Sequence, residues 1–217
     1  MNQKDDWIRK VHHLHLGTYY PAESYYERHQ NDPLTQKILK IKKIGGEKYA
    51  DYICDKLYKR VLKKFQNVLD EAECIVPVPI HERHTETCSR ESEFPNNLEH
   101  PLDEPHTKAP LLAETLAKII HDETGREIPL HKNVLVRDNR TKPTEHNSRI
   151  PERYLYAQQD YHFGGGDEQQ NIDGKNILLI DDIMTSKATA LVCAKLLCKY
   201  GANKVTILCA AETKIHS

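Results

Sequence analysis

The chain reads as an α/β protein built on a parallel sheet, and three features say so. Near the carboxyl end, NILLI (176–180), an amphipathic run from Ala188 to Tyr200 and KVTILCAA (204–211) succeed one another as strand, helix and strand. Strands joined through a helix at this spacing form a βαβ unit, the connection that parallel neighbours require. Upstream, CIVPVPI (74–80) is another short apolar run, the pattern of a strand buried on both faces that runs out into a proline-constrained turn. Between these lie apolar residues at helical spacing.

Composition bounds the remainder. The 217 residues carry 31 Lys+Arg against 32 Asp+Glu, a formal net charge of −1, and 38% apolar side chains. Exchanging Tyr for Gly to match the usual definition leaves about 37%, below the ~45–50% of an average globular chain, so polar segments dilute the core. No window approaches the roughly 18 consecutive apolar residues of a membrane span, and the opening MNQKDDWIRK has no apolar signal region. Six cysteines (54, 74, 88, 193, 198, 209) form no C-x-x-C pair, and Cys193, Cys198 and Cys209 sit in apolar contexts. A reducing cytoplasm is the expected location.

The elements follow in order. Trp7, Val11 and Leu14 recur at helical spacing before Gly17, which predicts a short helix over 5–16, with His12, His13 and His15 on its surface. TYYPAESYYERHQNDP reads as a loop. Leu34, Ile38 and Ile41 mark a second helix stopped by Gly45-Gly46, and Tyr49, Ile53, Leu57 and Val61 a long amphipathic one to about Gln66. From Leu34 to Gln66 ten Lys/Arg face three acids, net +7, whereas His81 to Pro105 carries seven acids against Arg83 and Arg90, net −5. The basic stretch fits a solvated helix face first and a phosphate or nucleic-acid surface second. After the strand at 74–80, the stretch 81–108 has no periodicity and reads as a long loop. Leu111, Leu112, Leu116, Ile119 and Ile120 build a helix ending near Gly125; NVLVRD (133–138) is a strand; PERYLYAQ starts a helix with proline in its first turn; and GGGDEQQN is a linker or hairpin. The chain thus divides into a helical N-terminal or hood segment, 1–70, and an α/β core, 71–217, carrying the 81–108 loop.

The chemistry concentrates at one corner. In open α/β sheets, ligands bind outside the carboxyl ends of the strands. ILLIDDIMTSKAT puts Asp181 and Asp182 at such an end, with Thr185, Ser186 and Thr189 around the first turn of the following helix. Backbone N–H groups and hydroxyls at a helix N-terminus suit a terminal phosphate, and adjacent carboxylates suit sugar hydroxyls. Together they describe a holder for a ribose 5-phosphate. A pair of acids ending a strand also serves as a phospho-acceptor or magnesium site in other α/β proteins. In HERHTETC, His81, His84 and Cys88 have spacings a zinc ion can use, with His100 or His106 as a fourth ligand, against a plain reading as loop histidines.

LLIDDIMTSKAT resembles the phosphoribosyl pyrophosphate (PRPP) motif of type I phosphoribosyltransferases. IVPVPIHER, LVRDNRTKPTEHNSRIPER, DGKNILLIDD and the lysine-bearing ILKIKKIGGEKYADYICDKL are similar in order and spacing to the ComF-like branch of that superfamily, associated with DNA uptake in bacteria. The likeness runs over roughly 34–211 and is strongest in the last forty residues of that span. It implies a Rossmann-like phosphoribosyltransferase core and transfer of a phosphoribosyl group between PRPP and a nitrogenous base, with Mg²⁺ as cofactor. By the same likeness, Asp181 and Asp182 bind the ribose hydroxyls and assist catalysis, and Thr185, Ser186, Lys187, Ala188 and Thr189 cradle the 5-phosphate. Pro77 and Val78 with Arg83 correspond to the pyrophosphate loop, and Arg137, Arg140 and Lys142 to a mobile lid. A catalytically silent ribose-phosphate sensor and an adaptor in DNA handling are the rival functions, and a homodimer, DNA or DNA-handling proteins the expected partners beyond the small molecules. The family's phosphate loop carries Gly where this chain has Lys187, so the lysine either strains the loop or itself reaches the phosphate. The branch's Arg-Gly-Phe-Asn-Gln stretch has no match beyond SRESEFPNN, and His146 stands where Gln is expected.

Overall fold

The computed structural model describes residues 3–22, 24–44, 46–79, 108–138 and 150–213. Four parallel strands form the central sheet: β1 (Val11–Tyr19), β2 (Cys74–Pro77), β5 (Asn176–Met184) and β6 (Lys204–Thr213), in the order β1-β6-β5-β2. Two short antiparallel strands, β3 (Leu135–Arg137) and β4 (Tyr161–Phe163), stand apart from it. Helices α1 (Tyr26–Asn31), α2 (Pro33–Ile44), α3 (Glu47–Lys56) and α4 (Gln66–Glu71) precede β2 or lie beside it in sequence, and α5 (Lys108–Thr124), α6 (Ile150–Asp160) and α7 (Ala188–Lys199) follow.

The expected βαβ unit is present as β5, α7 and β6. Val205 to Ala211 of β6 and Ile177 to Ile180 of β5 are buried, which is why both read as unbroken apolar runs. Alternate residues of these strands feed two apolar layers. Leu178, Ile180, Leu208 and Ala210 pack with Ile53, Leu57, Leu62, Leu112 and Leu116 from α3, the turn after it and α5. Ile177, Leu179, Val205, Ile207 and Cys209 pack with Val192, Cys193 and Leu197 of α7 and with Ala157 of α6. The sheet is therefore covered on both faces, as a parallel sheet must be.

Four local features depart from the sequence reading, the first being α1, a short helix over Tyr26–Asn31 where TYYPAESYYERHQNDP reads as a loop. Val11–Tyr19 is a strand where a helix over 5–16 and a loop from Thr18 are expected, and only Gln3–Lys10 is helical, as a 3-10 turn. The run His13-Leu14-His15-Leu16 alternates with period two, and pairing with β6 from Val11↔Val205 to Tyr19↔Thr213 supplies the hydrogen bonds that make it a strand. The N-terminal segment is thus not wholly helical: its first strand belongs to the central sheet. The helix from Tyr49 is interrupted: α3 passes into a π-type turn over Leu57–Leu62, with Lys63 N–H donating to Tyr58 O at 2.9 Å. That wider turn keeps Leu57, Tyr58, Val61 and Leu62 all buried. Finally β5 does not stop at Ile180. Its ladder with β6 continues through Asp181↔Cys209 to Met184↔Glu212, so both aspartates lie inside the strand.

The helix ends are specified by chemistry. Arg126 donates to the carbonyls of Leu69 and Ala72 at 2.7 and 2.9 Å, closing the carboxyl end of α4 from a distant part of the chain. After α7, Gly201 has φ +112°, and a Cβ there would stand 2.2 Å from Asp173 Oδ1, so glycine alone fits. No helix among the described residues is long and apolar enough to cross a membrane.

Two measurements test this packing. Leu116 is fully buried between α3 and the sheet; Leu116→Ala is expected to lower unfolding stability by about 2–5 kcal/mol in urea melts. Burial raises the Cys74 thiol from 9.0 to about 11 and pushes the thiols of Cys54, Cys193 and Cys209 up as well. A group whose folded pKa exceeds its unfolded one stabilises fully below the unfolded value and loses that contribution as pH rises through the folded one. Stability should therefore fall between pH 9 and about 11, with a shallower fall in Cys74→Ala.

Candidate functional site

Where β5 ends and α7 begins, the chain walls one side of a cavity of about 370 Å³. Asp181, Asp182, Thr185, Ser186, Lys187, Ala188 and Thr189 all line it, together with Val78 and Pro79 beyond β2 and Arg137 at the end of β3. The opposite wall is α6 and the start of β4, through Arg153, Tyr156, Asp160 and Tyr161. This volume lies in the range of small-molecule sites. Pro77, by contrast, is buried inside β2 and does not reach the cavity. Arg83, Arg140, Lys142 and His146 lie outside the described residues, as do His81, His84 and Cys88 of the zinc expectation with His100 and His106.

The backbone fixes the two carboxylates. Asp182 N–H donates to Asp181 Oδ1 and Ile183 N–H to Asp182 Oδ1, each at 2.8 Å, so each side chain is oriented by the residue after it. The chain then turns through Thr185, Ser186 and Lys187 into α7. Ala188 N–H reaches Ser186 Oγ at 3.4 Å, and Thr213 Oγ1 donates to Thr185 Oγ1 at 3.3 Å, tying the turn to the end of β6. Lys187 sits at φ +60°, ψ −6°, and is the one described non-glycine residue in the left-handed region. The conformation at this position is thus the one glycine adopts freely and other residues adopt at a cost of order 1 kcal/mol or more. Its ammonium pairs with Glu212 Oε1 at 2.8 Å.

The far wall is basic and hydrogen-bonded. Arg137 lies 3.5 Å from the carboxylate of Asp160, which is only 8% exposed, and its guanidinium stands 5.3 Å from the centre of the Tyr161 ring. Arg137 Nε is buried with no hydrogen-bond partner among the described residues. Burial raises the Tyr161 phenol well above its ordinary value, against the opposing pull of Arg137 and of a hydrogen bond with Thr189. The phenol stays protonated and links this wall to the first turn of α7. The cavity therefore holds carboxylates on one strand end, hydroxyls and a helix N-terminus beside them, and guanidinium groups opposite. Among the described residues no group of three or more His, Cys, Asp or Glu is placed to hold a metal ion.

No protein-family model matches the chain, and no curated protein is significantly similar to it.

Sequence reasoning undervalued one wall. Arg153 reads alone as a structural ion-pair residue, and Tyr156, Asp160 and Tyr161 carry no motif. A signal existed, since Arg153, Tyr156, Ala157 and Asp160 recur at spacings of three and four and share one face of α6. The histidines read as surface also sort differently: on a strand, His13 and His15 share a face, and His15 Nε2 lies 3.5 Å from Glu212 Oε2. Of the basic stretch 34–66, Lys56 and Lys59 pair with Asp55, and Lys63 with Glu123.

The strain at Lys187 can be separated from its charge. Lys187→Val and Lys187→Gly lose the same ion pair, but a β-branched residue is poorly accommodated at φ +60°. Thermal unfolding should show the valine variant less stable than the glycine variant by about 1–2 kcal/mol.

Proposed function

We propose that the chain is a phosphoribosyltransferase of type I, ComF-like in its motifs, that binds PRPP with Mg²⁺ and transfers the phosphoribosyl group to or from a nitrogenous base. The observation that carries this reading is the meeting of Asp181, Asp182 and the Thr185–Thr189 turn on one cavity, faced by Arg137, whose buried Nε has no partner among the described residues. Each wall matches one part of such a substrate. The turn and the N-terminus of α7 offer hydroxyls and N–H groups to the 5-phosphate. Asp181 and Asp182 accept hydrogen bonds from the ribose hydroxyls. Arg137 and Arg153 face the other end, where pyrophosphate gathers charge as it leaves C1.

Mg²⁺ fits the donor set. Such an ion takes one or two protein carboxylates and completes its shell with water and substrate oxygens, so Asp181 and Asp182 suffice without a third protein ligand. Bound there, it would neutralise charge on the leaving pyrophosphate. The protein's own part is to orient the ribose through the two carboxylates, to hold the phosphate at the turn, and to keep cations on the leaving-group side. Val78 and Pro79, anchored by the bond from Val78 N–H to Ile180 O at 2.9 Å, close the cavity toward β2.

Lys187 favours one second reading. A lysine in the left-handed position, with its ammonium engaged by Glu212, departs from the glycine of the family's loop, and a protein that senses a ribose phosphate without turning it over tolerates that departure. Titration calorimetry with PRPP, with and without Mg²⁺, tests both readings. Magnesium-dependent binding is expected, and the Asp181→Asn, Asp182→Asn double variant should weaken it at least about tenfold. No binding of PRPP by the folded wild-type protein would overturn both. Pyrophosphate release when bases are added then separates enzyme from sensor.

A further inference from the structure

Beside the first half of β1 and the carboxyl end of β6, behind the turn that enters α7, four charged or titratable side chains meet. Lys187 Nζ lies 2.8 Å from Glu212 Oε1 and 3.4 Å from His13 Nε2, and His15 Nε2 lies 3.5 Å from Glu212 Oε2. His13 and His15 come from the edge strand, Glu212 from the last residues of β6 and Lys187 from the turn. Three separate segments are thus brought to one point.

Two facts about Lys187 need a common cause. It occupies a conformation that a lysine adopts only under constraint, at φ +60°. It also lines the cavity while its ammonium is held from behind by Glu212, at a side-chain exposure of 36%. The groups around it are kept in the states that hold a cation. Burial alone would raise the Glu212 carboxyl, but the hydrogen bond from Lys187 and the charges of Lys187, His15 and His13 override it and hold the carboxyl below its ordinary value. Burial first, then the charge of Lys187, lowers His13, with Glu212 opposing and His15 adding slightly; the ring stays neutral near pH 7 and can accept from the ammonium.

From this geometry, and resting on the reading of the cavity as a ribose-phosphate site, we infer that Lys187 is an exchangeable cation of the phosphate loop: paired with Glu212 in this structure, it passes to the phosphoryl oxygens of a phosphate monoester bound at residues 185–189, and Glu212 is the competing partner it leaves. The pair with Glu212 is partly exposed and hence weak. A phosphate dianion on the same ammonium, supported by the N-terminus of α7, competes with it effectively. Glycine in the same turn would relieve the strain but supply no charge.

The inference predicts effects of opposite sign. Ribose 5-phosphate is titrated into the wild-type protein and into Glu212→Gln, Lys187→Met, Lys187→Arg and Glu212→Gln/Lys187→Met, with ribose as the control lacking phosphate. Glu212→Gln, which removes the competitor, is expected to tighten binding about two- to fivefold. Lys187→Met should weaken it about tenfold, Lys187→Arg should largely restore it, and the double variant should match Lys187→Met. Met and Arg bear the same backbone strain as Lys, so the contrast between them reads charge alone. Wild-type binding with Glu212→Gln unchanged or weakened, or with Lys187→Met unchanged, would overturn the inference and leave the ribose-phosphate reading standing. Absence of ribose 5-phosphate binding by the wild-type protein would overturn both. In each variant the His13 titration, followed by NMR, verifies the cluster without ligand: removing the Lys187 charge should raise the His13 pKa, and an unmoved His13 would show that the ammonium does not sit beside it.

Discussion

Parallel pairing of β5 with β6 is the constraint from which the site follows. Two parallel neighbours cannot be joined by a hairpin; the chain must leave β5 at its carboxyl end, cross the face of the sheet and return. The crossover is α7, and so its N-terminus necessarily stands beside the last residues of β5. Two aspartates on the strand and a threonine- and serine-rich turn on the helix thereby become neighbours without any side-chain contact having to specify it. Burial of Ile177 to Ile180 and of Val205 to Ala211 makes this geometry rigid.

Around that corner the remaining elements act as walls. β2 lies on the far side of β5 and delivers Val78 and Pro79; the β3–β4 pair and α6 deliver Arg137, Arg153 and Tyr161. The charges are arranged rather than neutralised: carboxylates at the strand end, cations opposite, and Asp160 beneath Arg137 holding its guanidinium in place. Lys187 then joins the corner at the end of β5 to the outer edge of the sheet through Glu212 and the strand β1. A residue in a strained conformation persists only where its surroundings determine it, and here those surroundings include a segment from the first twenty residues of the chain.

How much of this could be read from the sequence depended on where the decisive interactions lie. The βαβ unit was legible because its strands are buried on both faces and its helix is amphipathic, so local pattern and tertiary environment agree. The corner at Asp181 to Thr189 was legible for the same reason: its residues are contiguous in the chain. β1 was misread because Trp7, Val11 and Leu14 fit a helical period as well as His13 to Leu16 fit a strand, and the ladder that decides between them comes from β6, nearly two hundred residues away. The continuation of β5 past Ile180 has the same origin, since polar residues stay in a strand when a neighbour pairs with them. The wall made by α6 enters the site only through packing, so Asp160 carried no motif and Arg153, although inside the segment likened to the family, carried no role. Strain at Lys187 was one of the two outcomes that the likeness to a glycine-bearing loop left open, and the left-handed backbone there bears it out, whereas its partner Glu212 was not foreseen, because nothing local connects the two.

The most direct test of the central claim, that one cavity at the end of β5 receives a phosphorylated ribose, is an amide NMR titration of isotope-labelled protein with ribose 5-phosphate. The largest shifts are expected on residues 185–189, with Asp181 and Asp182 following, and ribose without phosphate should leave 185–189 unmoved. Shifts centred instead on the separate cavity of about 250 Å³ between Tyr20, Tyr52 and Arg60, with residues 181–189 silent, would contradict it.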